Sequence, residues 1–390
     1  MKRLLILGST GSIGQQTLDV VRRLPERFQV VGLAAHNNLA LLLEQADAFG
    51  ASMLGLLRED APEQVATPLG KRLPVYRGVQ GLCDMVRSSG ADIVVVALAG
   101  MIALLPTLTA LEHGKTVALS TKEVLVGGGA IVMETVRRTG TPMIPIDSEH
   151  SGAWQAMQGA EPHQIARLIL TASGGPFLKR PLETFDQITV QEALQHPNWN
   201  MGAKITVDSA TMMNKGLEVI EAQWLFDLPL EKIEVLIHPQ SIVHALVEFV
   251  DGSVIAQLSV PDMRLPIQYA LLYPERVDTE LPRLDLRKVS QLTFEAPEME
   301  RFPCLRLAYE AARIGGTMPT VLNAANEVAV RLFLQEQIPF TAIARFVEQT
   351  MQAHTPQKPT LEAILEADQW ARVYVSTLAE RRLFTSGGFA

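Results

Sequence analysis

Lys2-Arg3-Leu4-Leu5-Ile6-Leu7-Gly8-Ser9-Thr10-Gly11-Ser12-Ile13-Gly14 is the stretch on which the fold of this chain turns. The apolar run Leu4–Leu7 reads as a buried strand, the spacing G-x-x-G-x-x-G as a tight turn, and Gly14–Leu24 as a helix. Glycines let a backbone approach a ligand closely, and the first amides of a helix favour an anion, so this arrangement suits a pyrophosphate. Thr10, Gly11, Ser12 and Ile13 are therefore candidate dinucleotide contacts. A glycine turn alone would be weak ground; its place at the head of a β-α-β series supplies the rest.

That series continues outward. Val30–Ala34, Ile93–Leu98, Thr116–Leu119 and Met143–Ile146 read as further strands, and Leu39–Phe49 reads as a helix between two of them. The alternation predicts a mostly parallel, doubly wound sheet over residues 1–150. The second strand runs into His36-Asn37-Asn38, where an adenosine ribose is usually read. No Asp or Glu stands there to favour NAD, and no Arg or Lys to hold a 2′-phosphate, so NADP(H) would rest on neutral donors from His36, Asn37 and Asn38. The same three residues also suit an ordinary polar turn.

After His150 the pattern changes. Residues 165–172 and 233–260 alternate in strand fashion, with Asp251-Gly252 as a hairpin signal, which predicts a second α/β domain with antiparallel strands over 151–273. Residues 274–303 read as a long proline-bearing connection and 304–390 as helical, with a glycine-rich tail to which no role is given. Ile93–Leu111 lacks charge over a span-like length, but Gly100, Pro106 and a β-branched start favour a strand, a turn and a helix over a membrane segment.

At 390 residues and 47% hydrophobic content, the chain can bury more than one core. Its formal charge of −8 and the absence of any Lys/Arg run longer than two argue against nucleic acid and basic membrane-surface partners. The apolar run at the N-terminus is short and broken at once by glycine, unlike a signal peptide. Cys83 and Cys304 have neither metal nor redox spacing, and a reducing, cytoplasmic setting is expected.

Three further segments carry chemistry. Asp147-Ser148-Glu149-His150 follows a strand, and an extended backbone would turn Asp147 and Glu149 to one side, where two carboxylates suit Mg²⁺ or Mn²⁺ better than zinc. Asn214, Lys215 and Glu218 stand at i, i+1 and i+4 of a predicted helix and share a face, either as an anion and metal site or as an ordinary surface ion pair. Ser173-Gly174-Gly175-Pro176 offers a hydroxyl and amides in a turn, and His196-Pro197-Asn198-Trp199-Asn200-Met201-Gly202 reads as a lid bearing an indole.

Taken in order, G-S-T-G-S-I-G, I-D-S-E-H, S-G-G-P-F, H-P-N-W-N-M-G, V-D-S-A-T-M-M-N-K-G-L-E, H-P-Q-S-I-V-H, P-D-M-R and L-N-A-A-N-E resemble the 1-deoxy-D-xylulose 5-phosphate reductoisomerase family from the first residues to about Glu327. The resemblance implies an N-terminal Rossmann-like NADPH domain (1–150), a central α/β catalytic and dimerisation domain (151–273), a linker (274–303) and a C-terminal α-helical domain (304–390), in a homodimer. It implies a divalent cation (Mg²⁺ or Mn²⁺, with Co²⁺ a further option) on Asp147, Glu149 and Glu218. It implies a small phosphorylated sugar held by Ser173, Ser209, Asn214 and Lys215, under a lid of His196, Trp199 and Met201. Lys122 and Ser148 are implied substrate contacts, with Lys122, Glu149 and His196 as the reacting or polarising groups. Thr121, Glu123 and Gly202 are implied cofactor contacts.

The chain departs from that pattern in places. Ser120-Thr121-Lys122-Glu123 stands where the family reads A-N-K-E, so Thr121 replaces an amide, and His36-Asn37 stands where a glycine and a basic residue are usual. Asn200 and Ala203 also differ. Two other readings compete: an NADP-dependent dehydrogenase of a phosphorylated hydroxy compound without rearrangement, which leaves the carboxylates idle, and an inactive dinucleotide-binding sensor, which leaves the lysine and phosphate positions idle as well.

Overall fold

The computed structural model of the chain describes residues 1–199 and 201–386. The expectations placed on Asn200 and on the last four residues of the tail lie outside the described residues. Two compact units are present: Met1–Val124, Val132–Trp154 and Asp262–Arg283 form the first, and Leu125–Ile131, Gln155–Pro261 and Leu284–Ala390 the second.

The first unit is built on an eight-stranded sheet: β1 (Lys2–Leu7), β2 (Phe28–Ala35), β3 (Met53–Leu56), β4 (Gln64–Ala66), β5 (Arg72–Arg77), β6 (Ile93–Val96), β7 (Thr116–Leu119) and β8 (Met143–Pro145). Their order is β4-β5-β3-β2-β1-β6-β7-β8, and every pairing is parallel except β4 with β5. Parallel strands need crossovers, and helices α1 (Ser12–Arg23), α2 (Leu39–Phe49), α3 (Gly78–Ser88), α4 (Leu104–Glu112) and α5 (Lys122–Thr139) supply most of them, while α6 (Ser148–Ala156) follows the last strand. Leu4, Leu5, Ile6 and Leu7 are all buried, as befits a strand covered on both faces.

The strand order reverses at β1, between β2 and β6, which is where an open sheet of this kind leaves a crevice at its carboxyl edge. The glycine turn sits there. Gly8 has φ +98, and a Cβ on it would lie 2.3 Å from Ala97 O; a Cβ on Gly14 would lie 2.2 Å from Gly8 O. The turn is thus packed onto α1 and onto the end of β6 at distances that admit no side chain.

The uncharged stretch 93–111 resolves into β6, a turn at Gly100 (φ +88) and α4, with Pro106 in the first turn of the helix. Among the described residues no helix is long and apolar enough to cross a membrane.

The second unit carries a four-stranded sheet of β9 (Ile165–Ala172), β10 (Ile233–Ile237), β11 (Val243–Phe249) and β12 (Val254–Leu258), in the order β10-β9-β11-β12. It is mixed: β11 is antiparallel to both neighbours, while β10 runs parallel to β9. Between β9 and β10 lie α7 (Val190–Ala193), α8 (Ala203–Ala210) and α9 (Met213–Leu225). After β12, α10 (Arg264–Leu272) packs in the first unit, and α11 (Pro303–Ile314), α12 (Met318–Leu334), α13 (Ala342–Ala353) and α14 (Leu361–Ser386) complete the second.

The second unit's core joins these last helices to α9 through Leu217, Ile220, Leu307, Ala308 and Val321. A Cβ on Gly216 would come within 2.4 Å of the Ala308 side chain, so α9 and α11 touch at a glycine. Cys83 and Cys304 are buried free thiols, and burial pushes the Cys304 thiol up to about 12.

Gly8 and Gly114 both have positive φ, but only Gly8 faces backbone within 4 Å. Gly114→Ala should destabilise the chain by about 1 kcal/mol and Gly8→Ala by about 2–3 kcal/mol. Urea unfolding of the two variants checks the difference; equal midpoints would show that the turn yields.

Candidate functional site

In the first unit the site is made from the carboxyl ends of parallel strands. Gly8 N and Ser9 N both donate to Ala34 O at 2.8 Å, Gly11 N donates to Gly8 O at 3.1 Å, and Gln45 Nε2 donates to Ser9 O at 3.0 Å. The turn is held by its own backbone and by β2, leaving Gly11 and Ser12 exposed and Thr10 and Ile13 half-buried. Ser9 Oγ is buried without a partner among the described residues, an unmet polar group in the cradle itself. His36, Asn37 and Asn38 are exposed beyond β2, and Asn38 caps α2 by accepting from Leu41 N at 3.2 Å.

Thr121 precedes α5, and its hydroxyl bonds Leu98 O at 2.6 Å and Val96 O at 3.3 Å. It fastens the start of α5 to the end of β6. Lys122 and Glu123, the first residues of α5, are both buried. Lys122 Nζ pairs with Asp147 Oδ2.

Asp147 and Glu149 do not sit in an extended segment, as their i, i+2 spacing had suggested. β8 ends at Pro145, and α6 begins at Ser148. Asp147 caps that helix: Oδ1 accepts from Glu149 N at 3.2 Å, and Ser151 N donates to Asp147 O at 2.8 Å. Glu149 lies in the first helical turn, where the helix dipole favours a carboxylate, and Ser148 Oγ donates to its Oε2 at 2.5 Å. The pair shares one side because a helix starts there.

In the second unit α9 begins after Met212, a buried residue with φ +61, in the left-handed region that a side chain seldom adopts. Asn214, Lys215 and Glu218 then share a face, as their spacing predicts. Asn214 Nδ2 donates to Glu218 Oε1 at 2.6 Å, and Lys215 Nζ pairs with Glu218 Oε2. Lys215 is 3% and Glu218 1% exposed, which excludes the surface-pair reading.

The glycine turn after β9 places Ser173 against His196. Gly174 (φ +83) and Gly175 (φ +66) both need glycine, and a Cβ on Gly175 would approach Ser209 O to 2.8 Å. Ser173 Oγ lies 3.0 Å from His196 Nε2 and accepts from Gly175 N at 3.1 Å. His196 Nδ1 accepts from Asn198 N at 3.1 Å and Trp199 N at 3.0 Å, so the ring proton belongs on Nε2 and is donated to Ser173. Asn198 Nδ2 bonds Pro239 O at 2.7 Å and Ser241 Oγ at 2.8 Å, and the Trp199 ring meets His244 edge-on at 6.3 Å. Met201 is half-buried, and Gly202 is exposed at the start of α8, with no neighbour near a would-be Cβ.

Two supports escaped the sequence reading. Asp208, 1% exposed and next to Ser209, pairs with Lys204 at 2.8 Å and accepts from Asn326 Nδ2 at 2.7 Å, which ties α8 to α12. His238, fully buried, accepts from Ile242 N and Val243 N at 3.2 Å through Nε2 and contacts Thr293 O at 2.9 Å through Nδ1. The motifs L-N-A-A-N-E and H-P-Q-S-I-V-H were visible, but only coordinates show what they brace.

Asp147, Glu149 and Glu218 each offer one carboxylate oxygen within 4.8 Å of the others. An all-oxygen set of this kind fits a hard divalent ion such as Mg²⁺ or Mn²⁺, and it contains none of the nitrogen or sulfur donors that zinc prefers.

Comparison with known proteins agrees along the chain. Residues 4–129 match the model of the 1-deoxy-D-xylulose 5-phosphate reductoisomerase family, residues 143–226 that of its C-terminal domain, and residues 258–374 a DXP reductoisomerase C-terminal domain. The chain is 54% identical over 374 residues to the 1-deoxy-D-xylulose 5-phosphate reductoisomerase of Chlorobaculum tepidum, covering 95% of this chain and 98% of that one. It is 52% identical over 374 residues to that of Geobacter metallireducens, covering 95% and 97%. Among solved structures it resembles the Zymomonas mobilis enzyme in complex with NADPH (TM-score 0.87, 41% identity, 97% of this chain and 99% of that one). It also resembles a DOX-P reductoisomerase in complex with NADPH, fosmidomycin and magnesium (TM-score 0.91, 38% identity, 97% and 98%).

If the three carboxylates act as one site, calorimetric titration with Mn²⁺ should give a stoichiometry near one per chain. Glu218→Gln should weaken it by at least about tenfold. Unchanged affinity in Glu218→Gln would remove that residue from the ligand set.

Proposed function

Because this chain belongs to the 1-deoxy-D-xylulose 5-phosphate reductoisomerase family, we propose that it converts 1-deoxy-D-xylulose 5-phosphate to 2-C-methyl-D-erythritol 4-phosphate, by a skeletal rearrangement followed by reduction with NADPH, in isoprenoid precursor synthesis. The observation that carries the chemistry is the carboxylate trio, with Lys122 on one member and Lys215 and Asn214 on another. A plain dehydrogenase has no use for it.

Asp147, Glu149 and Glu218 would hold the divalent cation. Bound there, the ion supplies a Lewis acid for the substrate's C2 carbonyl and C3 hydroxyl, and the nicotinamide supplies the hydride that reduces the rearranged aldehyde. Glu149, the most accessible of the trio, takes the proton of the C4 hydroxyl, whose loss lets C3–C4 break before the fragments rejoin. Lys122 polarises the substrate oxygens from the buried start of α5, and Ser148 adds a hydroxyl contact.

Lys215 and Asn214 now serve the two oxygens of Glu218. With that carboxylate balanced otherwise, both can turn to a phosphate, beside Ser173 and Ser209. His196, with its Nε2 proton on Ser173, couples the phosphate turn to the segment carrying Trp199 and Met201. Phosphate is remote from the bonds that change, so its binding energy is available to order that segment and orient the reacting carbons.

The dinucleotide is assigned to Thr10, Gly11, Ser12 and Ile13 for the pyrophosphate, to His36, Asn37 and Asn38 for the ribose, and to Thr121, Glu123 and Gly202 near the nicotinamide. The backbone-held glycine turn and the unmet Ser9 hydroxyl support this reading. We further read residues 1–150 as the cofactor domain, 151–273 as the catalytic and dimerisation domain, 274–303 as a linker and 304–390 as a helical domain of a cytoplasmic homodimer.

Incubation with 1-deoxy-D-xylulose 5-phosphate, NADPH and Mn²⁺ should yield the branched tetritol phosphate, identified by NMR; an unrearranged pentitol would favour the simple dehydrogenase. Glu218→Gln should lower kcat by at least about a hundredfold, whereas Lys215→Ala should chiefly raise KM, by about tenfold or more. Near-normal turnover in Glu218→Gln would overturn the ligand assignment.

A further inference from the structure

NADPH differs from NADH by a 2′-phosphate, and the exposed loop His36-Asn37-Asn38 offers it no permanent cation. The sheet register supplies one from the next strand. Ala35 of β2 lies opposite Leu56 of β3, and Leu57 N donates to Ala35 O at 3.2 Å. Asn37 and Arg58 each stand two residues beyond that matched pair, so both leave the same carboxyl edge of neighbouring strands. On the far side of β2, the glycine turn bonds Ala34 O through Gly8 N and Ser9 N. The edge therefore presents, in spatial order, the pyrophosphate turn, the ribose loop and Arg58.

The neighbouring charges leave Arg58 suited to the task. Arg77 ends β5, and it is engaged by Glu63 at 3.1 Å and Ala61 O at 3.3 Å. Glu59 has its carboxylate against Gly78, at the head of α3 on the β5 side, away from β2. Arg58 is held by Asp60 alone among the partners described, through Nε at 2.9 Å and Nη2 at 2.7 Å, with 57% of its side chain exposed. An exposed pair of this kind is weak, whereas a phosphate is a more highly charged acceptor for the same fork. Nη1 is not used on Asp60, so the carboxylate can also stay and brace the guanidinium from one side.

We infer that Arg58 is the residue that recognises the 2′-phosphate of the cofactor in this chain. The inference rests on the NADPH reading above and adds to it the owner of the discriminating charge. It also replaces the expectation that neutral donors of the ribose loop do this alone. The sequence hid it, because Arg58 lies twenty positions past Asn38 and only the β2–β3 register brings the two to one edge.

The test is equilibrium binding to the full chain, by calorimetry, of 2′,5′-ADP and 5′-AMP as probes, with NADPH and NADH beside them. Arg58→Ala should weaken 2′,5′-ADP and NADPH about ten- to a hundredfold and leave 5′-AMP and NADH within about twofold. Arg58→Lys should recover part of the loss, and adding Asn37→Lys to Arg58→Ala should restore 2′,5′-ADP binding from the adjacent loop. Asp60→Asn should bind 2′,5′-ADP as well as or better than the parent. Equal weakening of both probes, or no change in either, overturns the assignment while leaving the reductase reading intact. Failure of the unaltered chain to bind NADPH overturns both.

Discussion

Glu218 is a buried carboxylate, and a charge there must be met by partners within hydrogen-bond reach. Lys215 and Asn214, one turn earlier on α9, meet it. Removing one member of such a buried pair costs about 3–5 kcal/mol, because the other is left without compensation. The polar face can be held so tightly because the opposite face has no freedom to turn. Leu217 and Ile220 belong to the core, Gly216 admits Ala308 of α11 where no larger side chain would fit, and Met212 sets the first turn from a left-handed backbone. Apolar packing aims the charged groups of α9.

The first unit solves a different problem by different means. Parallel strands deliver their carboxyl ends to one edge, and each loop leaving that edge carries a task set by its place in the strand order. The turn after β1 is closed by glycines, the residues after β2 and β3 stand side by side, Thr121 pins α5 to the end of β6, and Asp147 caps α6 beyond β8. Here position comes chiefly from register, which brings residues distant in sequence to one edge.

Much of this was legible beforehand. β7 spans Thr116–Leu119 and α2 spans Leu39–Phe49, as read from the apolar pattern, because long or β-branched runs bounded by turn residues carry their own signal. The face shared by Asn214, Lys215 and Glu218 was equally plain, since helical spacing is local. What escaped notice had contrary local cues. β3 and β4 are short, Gly55 interrupts β3 and Pro74 interrupts β5, and α5 runs through Gly127-Gly128-Gly129, a run that argues against a helix. Tertiary packing explains α5: a Cβ on Gly129 would lie 2.3 Å from the Trp224 ring, so the glycine makes room for an indole. Asp147 and Glu149 were paired for the wrong local reason, because a helix start and a strand both bring i and i+2 near each other. Asp208 and His238 escaped because a buried brace looks like any polar residue until its partner is known.

The two cysteines, finally, have a practical bearing. Both thiols are buried, and burial holds each above its ordinary pKa, so neither presents the accessible thiolate that electrophiles attack. The native chain thus presents no exposed thiol to maleimides. One cysteine introduced on an exposed loop would be the accessible point of attachment for a fluorophore or spin label, without first stripping the protein of its own sulfur.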